Sequence, residues 1–516
     1  MAEQSQNSSQ FNRDPVTPKE FFGYNMGALP GAFFGSFMGQ IQAFYFKWLG
    51  LGWDWIVIAQ ILFAVWNVLN DPLFGILQNR TKTRSGRYIP WIKWCAPLFS
   101  VAFVLVFFPP SAWRGGDPSV QLPLFIWYLA TQALYDTFFT IIYLAHVALL
   151  PQMTFAAVER TKISVLYALL SLVGGVASGA LPLAFLTNPN AEKIANFQIL
   201  VIVFAGLALI PWILVVKWVK ERPEFLPPDN DVSLLESFKI VFKNPSGRIY
   251  IIYDGISVGI LNILLTGLTF MFEWLFGLIS GVPRVNPNWS FMDAMPAVIL
   301  LVVGAVAGAI VQLQIPKRRD IKTAIQVGLI CQAIGFFVAF IGAIPDPNNP
   351  VGAYADPYNI WLFGAGLAIG FFGLVTDFIY HNPMRGDTID YDELTTGERH
   401  ESIYAGIGCI FSKPMISVAL AIVPAILAAF GLKQVNTDPS TPVLGVPSGD
   451  YNTATLGVAV ACLLVPAILA TLGAIAWKWY PLDRKALDAM HVELEKIHAQ
   501  KRSERLTNDG KSKFVS

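Results

Sequence analysis

The chain has 516 residues, of which 54% are apolar and only 14% charged, with a net charge of +1. A soluble fold of this length needs far more charge to cover its surface, and apolar runs near the ~20 residues that cross a bilayer recur from end to end. The balance argues against a soluble protein and against nucleic acid as a partner, because basic residues sit in short loops rather than on one face. The expected class is an all-α polytopic membrane protein with the lipid bilayer as its surroundings.

In chain order, residues 1–21 form a polar tail. No short apolar region with a cleavage site follows it, so a cytoplasmic tail is expected rather than a signal peptide. About twelve spans follow, at 22–49, 54–78, 91–110, 121–150, 163–188, 196–219, 248–281, 292–315, 322–345, 357–383, 402–431 and 453–479. A long polar insert at 220–247 contains a Pro-Pro break and an amphipathic stretch over 233–242. It divides the chain into six-span halves at 22–219 and 248–479, with a tail and short helix at 480–516. Cationic clusters follow the even-numbered spans: Arg80, Lys82, Arg84 and Arg87, then Arg160 and Lys162, then Lys317, Arg318 and Arg319, then Arg385 and Arg399. Loops after odd-numbered spans hold only scattered cations. This bias places both termini and the insert in the cytoplasm, with the spans in the cell (inner) membrane. Cys95, Cys331, Cys409 and Cys462 all fall in apolar spans and read as small buried side chains.

Span one carries glycine at every fourth position, from Gly23 through Gly27, Gly31 and Gly35 to Gly39. Such a ridge lets another backbone approach closely, and Gly304 with Gly308 repeat the device in span eight. Pro30, Pro182, Pro296 and Pro414 interrupt spans at membrane depth, where neighbours satisfy the freed carbonyls.

Ionisable groups inside spans are costly and face a partner or a cavity. Those in question are Asp71, Asp136, Glu273, Asp377 and Lys413. Asn67, Asn70 and Asp71 share one helix face, so three oxygens converge. That grouping suits a hard monovalent cation or a proton, or simply a carboxylate locked to Lys413. In span four, Gln132, Asp136, Thr140, Tyr143 and His146 form one polar stripe, which suits either interhelical bonding or a solute path. Asp254 and Glu273 lie near helix ends, where a wet setting is expected. Asp377, with Tyr380, His381 and Asn382, reads as a gate or an interfacial anchor. Tyr24, Tyr143, Tyr167, Trp274 and Phe378 are the aromatic candidates for stacking on a solute. The five histidines are scattered and no catalytic spacing appears, so an enzyme is not expected.

The segment after span four (PQMTFAAVERTKISVLYALLSL) parallels that after span ten (DTIDYDELTTGERHESIYAGIGCIFS), each passing through Glu-Arg into the next helix. Parallel repeats of this kind suit a major-facilitator chain. NDPLFG, RTKTRSGRYIPW and GDTIDYDELTTGERHESIYAGIGCIFSK together resemble the glycoside–pentoside–hexuronide:cation symporter family of that superfamily, to which the melibiose permease belongs. The likeness spans nearly the whole chain, including the C-terminal ALDAMHVELEKIHAQ.

The resemblance implies a secondary transporter working by alternating access. Its substrate would be a small molecule such as a sugar or glycoside, its coupling ion Na+ or H+, with no other cofactor; a monomer is expected. It implies a cation site of Asn67, Asn70, Asp71, Thr140 and Lys413, with Na+ held at Asn70, Asp71 and Thr140. Asn67 stands where the family has an acid, so pairing of Lys413 with Asp71 would leave little negative charge for sodium. The resemblance implies that the family's sugar-recognising positions, four charged residues and a tryptophan, fall here on Gly31, Ala32, Tyr143, Ala168 and Val147. Asp136 reads as a relocated acid, and Asp136, Tyr143, His146, Phe378 and Tyr24 are the substrate candidates. A less polar amphiphile such as a lysolipid, or a non-transporting sensor, are the alternatives.

Overall fold

The structure, a computed structural model, describes residues 16–81, 83, 85–114, 117–153, 157–186, 191–221, 234–276, 291–344, 357–397, 401–436, 443–445, 451–490, 492–494 and 496–497. Every expected span falls on a helix. The first, α1, is an interrupted rod of Pro18–Met26, Ala28–Met38, Ile41–Ala43 and a π-helical turn Phe44–Leu49. Then come α2 (Trp53–Arg80), α3 (Ile89–Val106), α4 (Pro118–Met153), α5 (Ala157–Leu186) and α6 (Ala191–Trp218). After a short helix, Leu234–Lys243, follow α7 (Pro245–Phe270, continued by a π-helical turn Met271–Leu275), α8 (Phe291–Gln312) and α9 (Ile321–Ala343). The series ends with α10 (Pro357–Thr396), α11 (Glu401–Ala429) and α12 (Tyr451–Ala459 and Val465–Trp477, joined by a π-helical turn Val460–Leu464). Among the described residues, ten helices are long and apolar enough to cross a membrane. The breaks of α1 keep each of its pieces below that length, and α5 shows a shorter apolar stretch, Lys162–Gly175, among the described residues.

Within the first six helices, α1 packs on α5 and α6, α3 on α4 and α6, and α2 on α4. Within the last six, α10 packs on α8 and α9, α7 on α11 and α12, and α9 on α12. The broadest contact between the two sets is α2 on α11. The glycines explain the close approaches. Gly304 and Gly308 lie directly against the backbone of Ala368 and Phe372, so α8 and α10 touch main chain to main chain. In α1 the expectation is only partly met. Gly23 faces Trp218, but Gly27 and Gly31 make room for the rings of His146 and Tyr143 rather than for another backbone.

Several boundaries differ from the sequence expectation. Helix α10 continues through Pro383 to Thr396, because its extension is held by the insert and the C-terminal segment. Asn244 caps α7 by accepting from the Ser246 and Gly247 amides, while its Nδ2 donates to Tyr404 Oη at 2.7 Å and to the Thr388 carbonyl at 3.1 Å. Met490 and Leu494, from the helical residues 484–490 and 492–494, are buried beside Tyr480 and Leu482. The loop between α2 and α3 is fixed by Glu221, whose carboxylate accepts from the amides of Arg87, Tyr88 and Ile89 at 2.5–2.7 Å. Gly86 turns there at φ 108°, and any Cβ would meet that carboxylate. An antiparallel hairpin, β1 (Lys433–Asn436) with β2 (Val443–Gly445), follows α11 where no strand is expected. Cys331 and Cys409 are half-buried rather than buried. Lys82, Arg84, Glu398, Arg399, His491 and His498 lie outside the described residues, as do the side chains of Glu159, Arg160 and Asn382.

Candidate ion and solute site

Three helices bring the expected polar residues together. On α2, Asn67, Asn70 and Asp71 face one way; α4 supplies Asp136 and Thr140; α11 supplies Lys413. The Lys413 ammonium donates to Asp71 Oδ1 and, at 2.8 Å, to Thr140 Oγ1. Thr140 in turn donates to Asp71 Oδ1 at 3.0 Å. Asn70 Nδ2 donates to Asp136 Oδ2 at 2.8 Å and to Thr140 Oγ1 at 3.1 Å. Asn67 lies to one side, where its Nδ2 donates to Ser417 Oγ at 3.0 Å, one helical turn beyond Lys413. Ser417 carries no signal in the sequence beyond that spacing.

The charge count is unequal: two carboxylates face one ammonium. Two neutral acceptors add to the imbalance. Asn67 Oδ1 and Asn70 Oδ1 are buried with no hydrogen-bond partner among the described residues. A buried acceptor without a donor is unfavourable by about 1–3 kcal/mol. The carboxylates of Asp71 and Asp136, the Thr140 hydroxyl and the unpartnered Asn70 Oδ1 are oxygen donors of the kind a small hard cation takes. Asp71 and Lys413 have side chains 10% and 17% exposed, so the group is shielded without being sealed.

The polar stripe of α4 continues in both directions from this cluster. Gln132 meets Gln60, whose Nε2 donates to it at 3.2 Å and to Tyr128 Oη at 2.5 Å. At the other end His146 Nε2 lies 2.9 Å from the Tyr24 carbonyl, and its ring stacks on Tyr24 with centroids 4.2 Å apart. Trp212 meets the edges of both His146 and Tyr143 at 5.6 and 5.5 Å. Tyr143 Oη donates weakly to the Gly27 carbonyl at 3.5 Å and sits where a side chain at Gly31 would be. His146 Nδ1 is buried without a partner among the described residues. Tyr24, Tyr143 and His146 therefore form one aromatic group beside Tyr167. Phe378 is not in it: its side chain is 66% exposed on α10.

The remaining intramembrane charges also find places. Asp377 accepts from Tyr253 Oη at 2.5 Å and from Gln332 Nε2 at 3.3 Å, so it ties α7, α9 and α10 together. Asp254 lies 3.5 Å from His381 Nδ1 on α10. Glu273 is not in a wet setting. It is buried and 2.5 Å from the ammonium of Lys47, a residue that escapes notice in the sequence because it stands among the aromatics of FYFKWL at the end of span one.

A family model described as MFS/sugar transport protein matches residues 23–484. The chain belongs to that family. An isoprimeverose transporter of Lactiplantibacillus pentosus is 22% identical over 505 residues, covering 96% of this chain and 95% of its own. A putative glycoside/cation symporter of Escherichia coli, YagG, is 27% identical over 239 residues, covering 45% of this chain and 50% of its own. In fold the chain is similar to the partially occluded, inward-open xylose transporter XylE of E. coli. The TM-score is 0.54 at 11% identity, covering 90% of this chain and 98% of XylE. This member of the MFS/sugar transport family is thus a membrane transporter and not an enzyme, and the cluster on α2, α4 and α11 is a polar joint between its two helix sets.

Proposed function

We propose that this transporter moves a sugar or glycoside by alternating access, coupled to one monovalent cation at Asp71, Asp136, Asn70 and Thr140. The observation that carries the reading is the Lys413–Asp71 pair, which joins α2 to α11 while Asp136 stands by as a second carboxylate. With every group ionised the cluster carries one net negative charge. A sodium ion or a proton balances it. On arrival the ion competes with the Lys413 ammonium for Asp71, which loosens the bond between the two helix sets. Binding energy for the ion is thereby converted into a change in how the sets meet, which is the differential interaction that a conformational switch requires. Asp136 in this reading replaces the acid that the family resemblance places at Asn67.

Solute recognition falls to the aromatic group of Tyr24, Tyr143 and His146 together with Asp136. A face with few fixed charges and several rings suits a glycoside with an apolar side better than a strongly polar hexose. The relatives' names, an isoprimeverose transporter and a glycoside/cation symporter, support that class. The end of the molecule carrying both described chain ends faces the cytoplasm, the membrane is the cell membrane, and the unit is a monomer; the loop cations support that orientation.

The test is a ligand screen by melting temperature on the purified protein, since a ligand of the native state alone raises stability. Pentosides, hexosides, uronides and lysolipids are each compared with and without sodium at two pH values. A rise with a pentoside or glycoside, enhanced by sodium or by acid, supports the reading. A rise with lysolipids alone overturns the sugar assignment.

A further inference from the structure

Away from the chain ends, the two helix sets meet at a second polar joint that the ion site does not use. Lys47 ends α1 and Glu273 ends α7. Both stand on π-helical turns, Phe44–Leu49 and Met271–Leu275, which are uncommon and concentrate at functional places. Their side chains are 2% and 5% exposed and 2.5 Å apart. The ammonium also lies 4.7 Å from the centre of the Phe270 ring. Around this pair runs a seam of bonds between the sets. Gln40 Nε2 donates to the Leu265 carbonyl at 2.9 Å, and the Thr269 hydroxyl donates to Gln40 Oε1. Gln42 Nε2 donates to the Leu420 carbonyl at 2.6 Å, and Trp53 Nε1 to the Leu432 carbonyl at 3.0 Å. Trp53 lies between Phe46, on which it stacks at 3.7 Å, and Phe270 at 5.6 Å.

We infer that Lys47 and Glu273 form the latch that closes the transporter at the end remote from the chain ends, and that the pair must part in each transport cycle. A buried ion pair is weak evidence for stability, because desolvation cancels much of the attraction. It is well suited to a joint that opens. When the helix sets separate, both ions recover their hydration, so opening is less unfavourable than exposing an apolar seam of the same size. The partner backbone bonds and the Trp53 stack then guide reclosure. The positions are equivalent, each at the end of the first helix of its set, and they carry opposite charge. That arrangement joins the sets and leaves each set's own packing unaffected. The inference rests on alternating access and not on which solute or ion is carried.

The test is a distance measurement between spin labels on the two sets. Asp54 on α2 and Ala429 on α11 line one shallow surface groove at this end, on opposite sides of the seam. Both are changed to Cys in a background lacking Cys95, Cys331, Cys409 and Cys462, and the labelled full chain is studied in lipid. The unmodified pair should give mainly the short distance. Glu273→Gln and Lys47→Met should raise the long-distance population at least about fivefold. Charge reversal, Lys47→Glu with Glu273→Lys, should restore the short distance. The apolar double variant Lys47→Leu with Glu273→Leu should stay short, because apolar contact disfavours opening. Unchanged distances in both single variants, with melting temperature at or below that of the parent, would show a fixed brace and overturn the latch. Where a single variant does not fold, a mainly long distance in the apolar double variant overturns it equally. Asp71→Asn, read with the same labels, separates failure of the latch from failure of the ion site.

Discussion

The two polar joints between the helix sets differ in balance. At the Lys413 joint, one ammonium faces two carboxylates and a pair of unpartnered amide oxygens, and the side chains keep 10–17% of their exposure. At the Lys47 joint, one ammonium faces one carboxylate, both at 5% exposure or less, under a lid of aromatic rings. An unbalanced joint with spare acceptors invites a mobile cation, whereas a balanced and sealed one excludes ions and simply closes. In the proposed reading, the same chemistry, lysine against an acid across helices, serves exchange in one place and closure in the other. The difference comes from neighbours: Asp136, Asn67 and Asn70 on one side, Phe270 and Trp53 on the other.

The largest expected effect removes the exchange joint. Asp71→Asn should abolish cation-driven uptake in proteoliposomes, a loss of more than about a hundredfold, while the protein still folds. Retained concentrative uptake would dissolve the contrast between the joints. Changing the imbalance itself sharpens it. Asp136→Asn brings the count to neutral and should weaken the coupling ion by at least about tenfold, while Asn67→Asp should tighten it by a similar factor, or roughly 1.4 kcal/mol each way. Equal apparent affinities in all three proteins would remove Asp136 from the site. Next comes the bed under the aromatic group. Gly27→Ala drives a methyl into the His146 ring and should lower stability by about 1–3 kcal/mol, read from denaturation. A neutral result would mean that the ring moves freely. A comparable or smaller effect is expected from Ser417→Ala, which leaves the buried Asn67 Nδ2 without its acceptor on α11 and should lower stability by about 1–3 kcal/mol in the same denaturation measurement.

Spans, family and the core of the exchange joint are legible in the sequence, because apolar length and i, i+3, i+4 spacing are local signals. Asn70, Asp71 and Thr140 converge with Lys413 as the resemblance implies, and Asp136 joins them from the stripe of α4. What is not legible depends on partners far along the chain. Lys47 reads as an ordinary residue in an aromatic run until Glu273, from another helix set, is brought against it. Glu273 in turn reads as a wet helix end, since nothing local says that aromatic rings will cover it. The glycines of α1 announce a close approach but not what approaches, and at Gly27 and Gly31 it is a ring rather than a backbone. Pro383 suggests the end of α10, yet contacts from Asn244, Tyr404 and the C-terminal segment carry the helix on to Thr396. Phe378 reads as a stacking ring from its residue type alone, and only its place on α10, with the side chain 66% exposed, shows that it stands away from the buried group.

The most direct measurement of the central claim is the melting temperature of the purified protein in sodium chloride and in choline chloride. Ionic strength is held equal, the pH is varied, and the parent is compared with Asp71→Asn and Asp136→Asn. Sodium or acid should stabilise the parent in a saturable way, and both variants should lose that response. A parent indifferent to sodium and to pH, or variants that respond as it does, would contradict a coupling-ion site at Asp71 and Asp136.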